Sequence, residues 1–499
     1  MRGDFHLAQP NVLLIMTDQQ RWDTLGCYGN RVIETPNLDW LAAMGTRFTV
    51  AYTPSPSCIP ARSCLLTGMD PWNTGILGMG RGQKEMGVNF AHTLPGELAQ
   101  AGYHTQGVGK MHFYPQRSLN GFHHTVLDES GRAHDPDFES DYKQWFDRNK
   151  NGDYGIADHG VDWNSWMARP YHAPEFLHPT NWTVNESIKF LRERDPSKPF
   201  FLKTSFARPH SPYDPPRYYF DLYMNKALPE PAVGDFADMY DVPQDAVRPD
   251  AWRGVRSPEE IRRARAGYYG SITQIDQQIG RLLIFMRKRG LLDNTLIVFT
   301  SDHGDMLGDH HLWRKTYAYE GSAHVPLIVR LPQSAGGSRP VVNQPVCLQD
   351  IMPTILDALG LPVPETVDGA SLLPVMRDES APWRQFVHGE HSTAYAEEQE
   401  MQYLTDGGMK YVWFPRTGAE QLFDLSRDPY ELRDLARRPA HDGDLRRWRA
   451  RLVNILAARD AGLTDGDDLV CQKGRPYLVS PMYGRRMDGI ELFGGRSGQ

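Results

Sequence analysis

Three apolar runs, each ending abruptly at polar side chains, constrain the fold of this chain more than any other feature. VLLIM (12–16) stops at Thr17-Asp18, KPFFLKTSF (198–206) leads into Arg208-Pro209-His210, and NTLIVFTSDHGD (294–305) runs into Ser301-Asp302-His303. Continuous apolar runs of this length, without polar alternation, are the pattern of strands covered on both faces. Helical segments lie between them: LDWLAAMG, closed by Gly45, and PGELAQAG, followed by the strand-like YHTQGVGK. Strands alternating with helices predict an α/β fold, a large mixed, mainly parallel sheet sandwiched by helices. In open sheets of this kind functional groups gather beyond the carboxyl ends of the strands. Asp18, His210, Asp302 and His303 are therefore expected along one edge.

Past about residue 370 the texture changes. MQYLTDGGMKYVWF and QLFDLSRDPYELRDLA predict an antiparallel hairpin sheet followed by a helix, a smaller C-terminal α+β domain over 371–462. From Leu463 to the end, Gly, Arg and Asp accumulate without periodicity, which predicts an irregular tail (463–499) draped over the body or reaching a neighbouring subunit, and with it a homo-oligomer.

Composition excludes several classes. In 499 residues, 54 basic and 62 acidic side chains give a net charge of -8, so a nucleic-acid partner has no electrostatic support. An anionic substrate would need a local positive pocket. The five cysteines (Cys27, Cys58, Cys64, Cys347, Cys471) are too few and too scattered for a disulfide framework, which favours a reducing compartment. The apolar core before Thr17 is too short for a signal peptide or a membrane span. A cytoplasmic protein without a membrane partner is expected. The sequons at Asn181 and Asn185 read as caps of the helix through SIKFLRER.

Asp18-Gln19 and Asp302-His303 offer carboxylate, amide and imidazole ligands in two adjacent pairs, a set suited to a hard divalent cation. Either pair alone is equally a turn or a helix cap. The stretch SPSCIPARSCLLTGM (55–69) decides how they are read. Cys58-Ile59-Pro60-Ala61-Arg62, followed by Leu66-Thr67-Gly68, resembles the signature of the formylglycine-dependent (type I) sulfatases of the alkaline phosphatase superfamily. Gly109-Lys110-Met111-His112, Arg208-Pro209-His210, Ser301-Asp302-His303-Gly304-Asp305 and Lys315 ahead of Tyr319-Glu320-Gly321 follow in that family's order, so the resemblance covers nearly the whole chain.

The resemblance implies an alkaline phosphatase-like catalytic sulfatase domain over 1–370 and hydrolysis of a sulfate monoester, of a sulfated carbohydrate or an aryl alcohol. In that family a formylglycine-generating enzyme oxidises the cysteine, here Cys58, to 3-oxoalanine. One hydroxyl of its hydrate attacks sulfur and the other later expels sulfate. The family's metal ligands fall on Asp18, Gln19, Cys58, Asp302 and His303, and its catalytic residues on Cys58, Arg62, Lys110, His112, His210 and Lys315. Lys110, His210 and Lys315 would also bind substrate. Elementary chemistry agrees: a sulfate ester repels nucleophiles, so a cation and further positive groups must offset the charge. His210 is expected to protonate the leaving alcohol, and His112 to take the proton from the second hydroxyl. Lys110 and His112 flank Met111, which in an extended segment places both heads on one side.

Two departures matter. Gln19 stands where many sulfatases have aspartate, and His303 where many have asparagine. Calcium is the family default, but this softer set also suits manganese or another transition metal. The same pairs resemble the phosphonate monoester hydrolase branch, so cleavage of phosphonate monoesters or phosphodiesters is the alternative. A carbohydrate-binding relative with unmodified Cys58 is the second alternative. Cys64 reads as core packing, and His310, His311 and His324 as turn residues. Gly78 to Gly82 reads as a connector, and the loop with Asp147, Asn149, Asn151, Gly152 and Asp158 as an Asn/Gly turn rather than a calcium loop. The aromatic connectors around Trp145, Trp163, Trp166, Tyr171 and Trp182 suit either a sugar-stacking rim or packing.

Overall fold

A computed structural model describes residues 9–79, 90–131, 137–473 and 479–487. The described residues form fourteen strands: β1 (Asn11–Asp18), β2 (Thr46–Phe48), β3 (Ala51–Tyr52), β4 (His104–Gly109), β5 (His124–Leu127), β6 (Phe200–Pro209), β7 (Thr295–Ser301), β8 (Leu327–Arg330), β9 (Val341–Val342), β10 (Val346–Cys347), β11 (Val387–His391), β12 (Met401–Thr405), β13 (Met409–Trp413) and β14 (Glu420–Asp424). Eight build the main sheet in the order β5-β4-β6-β1-β7-β8-β2-β9. It is parallel from β5 to β7, and β8 runs antiparallel to both its neighbours.

β1 sits at the centre, and alternate side chains enter opposite cores. Val12, Leu14 and Met16 pack with Ile59 and Leu65 of the helix Cys58–Thr67 and with Ile351 of the helix Ile351–Ala358. Leu13 and Ile15 pack on the other face with Ile188 of the helix Pro179–Glu193 and with Ile272 and Ile275 of the long helix Pro258–Lys288. That two-sided burial is why the strand reads as one continuous apolar run. Registers Met16↔Ser205 and Thr17↔Ser301 bring the ends of β1, β6 and β7 to one level.

β11 to β14 form a separate antiparallel sheet whose strand alternation serves two partners. Tyr403, Val412 and Phe423 face Tyr52, Tyr317 and Tyr319 of the main body, whereas Leu404, Tyr411 and Leu422 cover Trp448 and Leu452 of the helix Asp442–Leu456. The expected fold class is therefore observed. One local expectation fails: the helix Pro179–Glu193 opens at Pro179 behind His178, so Asn181 and Asn185 lie within it instead of capping it. Proline is well placed at a first helical position, which moved the true start upstream. Residues 479–487 fold back on the body, Ser480 Oγ donating to the Trp72 carbonyl, and include a short helix Pro481–Met487. The remainder of the tail, at 474–478 and 488–499, and the connector from residue 80 lie outside the described residues. All five cysteines are free, and no described helix is long and apolar enough to cross a membrane.

A buried ionic cluster joins the two sheets. Lys410 of β13 pairs with Glu320 at 2.6 Å and with Glu431 at 2.9 Å; Glu320 also accepts from Tyr52 and His324. Burial pushes the Glu431 carboxyl up to about 7, Lys410 opposing and Glu320 adding to the rise. Glu431 thus holds its proton more tightly in the folded chain than in the unfolded one. Stability falls as pH climbs from the ordinary glutamate range, about 4.3, toward 7. In thermal melts between about pH 5 and about pH 8, E431Q is expected to gain on the wild type as pH rises; parallel profiles would exclude this proton.

Candidate active site

The ends of β1, β4, β6 and β7 and the start of the helix Cys58–Thr67 meet in one buried cluster. Ligand atoms of Asp18, Cys58, Asp302 and His303 lie within 4.8 Å of one another. Cys58 opens the helix, where the partial positive charge of the N-terminus favours an anion. Ser57, the residue placed to cap that helix, instead shares a 2.7 Å hydrogen bond with His391 Nε2 of β11. The C-terminal sheet thereby reaches the residue next to Cys58.

Each carboxylate is met by cations. Arg62 Nε donates to Asp302 Oδ2 at 2.8 Å and Nη2 reaches Asp18 Oδ2 at 3.5 Å, while Nη1 holds the Lys110 carbonyl at 2.7 Å. Lys110 Nζ pairs with Asp18. The turn that delivers it needs Gly109, at φ +90°, where a Cβ would fall 2.0 Å from the Ser205 carbonyl. Lys315 Nζ lies 2.8 Å from Gln19 Oε1 and 2.6 Å from His210 Nε2. Burial alone would raise the Asp18 pKa, but Lys110, His210, Arg62 and Lys315 hold it well below the usual carboxylate range. Burial and Asp18 likewise oppose ionisation of the Cys58 thiol, yet Lys110, Lys315 and His303 bring it down to about 6. Beneath the cluster Lys203 is pushed down to about 7 by burial and Arg62.

Two histidine tautomers follow from backbone partners, since a carbonyl can only accept. His303 Nδ1 faces the Gly304 carbonyl at 2.9 Å, leaving Nε2 to face Cys58 Sγ at 3.2 Å. His210 Nδ1 faces the Ser211 carbonyl at 2.9 Å, leaving Nε2 as its proton-exchanging atom. His112 is buried at φ +62° rather than extended, and its N–H and that of Met111 donate to Glu129 Oε1. The reversal comes from Glu129, which local alternation does not reveal.

All the residues expected at the site are buried. The donor set suits a divalent metal ion: two carboxylates and an imidazole nitrogen converge around the Cys58 side chain, with the Gln19 amide oxygen against Lys315. His310 and His324 are structural. His310 Nδ1 accepts from the Gly234 N–H, and His324 is stacked between Trp22 and Tyr52. Trp145 and Trp182 pack with Tyr142 and Phe146, so they belong to a loop core, and Asp147 pairs with Lys143 and Lys150. A cavity of about 410 Å³ opens over Cys58 and Lys315, its aromatic lining being Trp252 and Tyr395.

Asp305, Tyr213, Glu129 and His391 escaped the sequence reading. Asp305 stands in the quoted Asp302 motif, and its spacing was the available signal. Its Oδ2 accepts from Gln19 Nε2 and Tyr213 Oη at 2.5 Å each, and its Oδ1 from the N–H groups of Leu307 and Arg314. Gln19 is thereby held with its amide oxygen toward Lys315. Arg314 and Thr316, at φ +68° and +84°, bracket Lys315 in left-handed conformations costing about 1–3 kcal/mol each. Backbone bonds from Arg314 N to Asp305 and from Thr316 N to the Pro56 carbonyl hold them there.

A buried cluster of metal-ligand type, ringed by cations at the strand ends of an α/β sandwich, defines a hydrolase of alkaline phosphatase-like architecture. A family model described as Sulfatase matches residues 10–361, and one described as N-sulphoglucosamine sulphohydrolase, C-terminal, matches residues 308–457. The chain belongs to the sulfatase family and is a sulfuric ester hydrolase, of a family that uses a metal ion and formylglycine. It is 44% identical over 480 residues to an arylsulfatase of Clostridium perfringens (94% of this chain, 98% of the relative). It is 32% identical over 447 residues to a choline-sulfatase of Rhizobium meliloti, with 87% and 83% covered. Among solved structures, the phosphonate monoester hydrolase of Agrobacterium radiobacter superposes with a TM-score of 0.75 at 27% identity, covering 93% of this chain and 100% of that one.

Because every acceptor position of Asp305 is taken, an amide there must turn its NH2 toward a donor. D305N is expected to free the Gln19 amide and weaken divalent-cation affinity about 10–100-fold, measured by calorimetric titration with Mn2+. Unchanged affinity would remove Asp305 from the metal's support.

Proposed function

We propose that the protein hydrolyses the sulfate monoester of an aryl or carbohydrate alcohol to the alcohol and inorganic sulfate, using a formylglycine made from Cys58. The observation that carries this reading is the place of Cys58, at a helix N-terminus, 3.2 Å from His303 Nε2 and among Asp18, Asp302 and Lys110. Asp18, Gln19, Asp302 and His303 would hold a divalent metal with the residue-58 side chain; calcium is the first choice and manganese the second. The metal supplies polarisation of the sulfate oxygens, and the hydrated aldehyde supplies the nucleophilic oxygen.

The remaining chemistry belongs to the chain's own side chains. Lys110 and Arg62 fix the nucleophile while neutralising Asp18 and Asp302. Lys315 binds a sulfate oxygen. His210 gives its Nε2 proton to the departing alcohol oxygen, its ring held by the Ser211 carbonyl. His112 takes the proton of the second hydroxyl as sulfate leaves. Burial of these groups makes each charge interaction stronger than it would be in water. Conversion by a formylglycine-generating enzyme and assembly with further copies of the chain belong to the same proposal.

Gln19 and His303, with the likeness to a phosphonate monoester hydrolase, favour a second reading: phosphonate monoesters or phosphodiesters as additional substrates. The test is mass spectrometry of the Cys58 peptide from a host that has the converting enzyme, beside turnover of an aryl sulfate and an aryl phosphodiester. An aldehyde at residue 58 with sulfate release is expected. Phosphodiester turnover alone would promote the second reading, and an intact thiol in the native source would favour the binding relative. H210A is expected to cut kcat by about 10²–10⁴-fold for an alkyl sulfate and far less for nitrophenyl sulfate, whose alcohol leaves without a proton. Equal losses in a kinetic comparison would remove His210 as the acid.

A further inference from the structure

The cavity over Cys58 carries a cation that hydrolysis of the ester itself does not employ. Arg314 lines it together with Lys315, Trp252 and Tyr395. Its guanidinium lies 4.4 Å from the centroid of the Tyr395 ring, and Tyr395 stacks on Trp252 at 5.7 Å and 16°. Among the described residues it makes no ion pair, and its single side-chain hydrogen bond runs from Nη1 to the Asp250 carbonyl at 3.1 Å. Nε is buried without a partner. Arg248, on the same cavity, is by contrast already paired with Asp250 at 3.0 Å.

Such a cation is costly to maintain. A half-buried guanidinium has lost part of its hydration, and a carbonyl and an aromatic face repay only some of it. Its backbone is also in the left-handed region, which a non-glycine residue keeps only where the surroundings enforce it. Asp305 does so by accepting the Arg314 N–H at 3.1 Å, the carboxylate that also orients Gln19. The guanidinium is therefore held on the same rigid turn as Lys315, one residue away.

We infer that Arg314 forms a subsite for a second anionic group of the substrate. The alcohol released by this enzyme would then be a ring that carries, beside its sulfate ester, a carboxylate or a further sulfate. Trp252 and Tyr395 border the same cavity, stacked on each other beneath Arg253 and Arg314. Arg314 and Lys315 line one cavity, so the second anion is expected on the same ring or on its immediate substituent. The two oxygens of a carboxylate, or two of the oxygens of a tetrahedral sulfate, can each accept the parallel N–H pair of the guanidinium. The inference rests on the sulfatase reading and concerns only what the alcohol carries.

The experiment compares kcat/KM for nitrophenyl sulfate, its ring-carboxylated analogue and a ring disulfate, in the converted wild type, R314Q and R314K. R314Q is expected to lower kcat/KM for the anionic substrates about tenfold more than for the neutral one, through KM, with R314K between them. The ratio between substrates cancels any general loss of activity. Which analogue suffers more tells carboxylate from sulfate. Equal losses on all three substrates would overturn the subsite while leaving the sulfatase reading intact. Should R314Q fail to fold, competitive inhibition of the wild type decides: sulfobenzoate is expected to bind about tenfold more tightly than benzenesulfonate, and equal inhibition constants would overturn the inference.

Discussion

The contact on which the rest of the site depends is the buried bridge from Arg62 to Asp302 and Asp18. Two carboxylates brought from β1 and β7 to one point in a water-poor interior would repel each other, and each would lose hydration worth several kcal/mol. Arg62 spans both, and it arises from the helix that also presents Cys58. The ion pair therefore fixes the helix against the sheet and, with it, the distance between residue 58 and the donor atoms. Its third contact, to the Lys110 carbonyl, extends the same constraint to β4. Removing the guanidinium alone would strip Asp302 of its close cation and leave Asp18 to Lys110, a loss of about 3–5 kcal/mol.

Around that bridge the balance of charge is set by position more than by number. Asp18 faces Lys110, Arg62, Lys315 and His210, which keep it ionised despite complete burial. Lys110 and Lys315, with His303, make Cys58 a far stronger acid than the buried thiols of Cys64 and Cys347, whose pKa values rise. One protein thus holds chemically different cysteines through the neighbours it gives them. A thiolate-stabilising pocket is also a pocket that stabilises a negatively charged oxygen on the same side chain, so the environment would suit the formylglycine proposed at residue 58 as well as the encoded cysteine.

The parts legible in the sequence were those whose signal is local. β1, β6 and β7 announced themselves because both faces are buried, and Asp18, His210, Asp302 and His303 followed from standing at their ends. Cys58 and Arg62 were legible through the Cys-x-Pro-x-Arg signature and its Leu-Thr-Gly tail, and the helix they open, Cys58–Thr67, came from the structure. What escaped was carried across the fold. Ser57 and His391 touch although 334 residues separate them, and Tyr213 reaches Asp305 from 92 residues away. The reversed backbone at His112 has the same origin, since the carboxylate that fixes it belongs to Glu129. Asn181 and Asn185 misled for a different reason: their types fit a cap, but Pro179 fits the first turn better.

The C-terminal sheet is more than a lid on the catalytic body. His391 occupies the hydroxyl of Ser57 that would otherwise cap the Cys58 helix, so β11 takes part in setting where that helix begins. Lys410, held between Glu320 and Glu431, ties β13 to the segment that follows Lys315. Tyr395, on the loop between β11 and β12, supplies the ring under Arg314. Three separate contacts from this sheet and its loop thus reach Ser57 beside Cys58, Glu320 in the segment after Lys315, and Arg314 on the cavity. Of the three, only the Tyr395 loop borders the cavity itself, so variation there can reshape the cavity wall while His391 and Lys410 keep the two sheets joined.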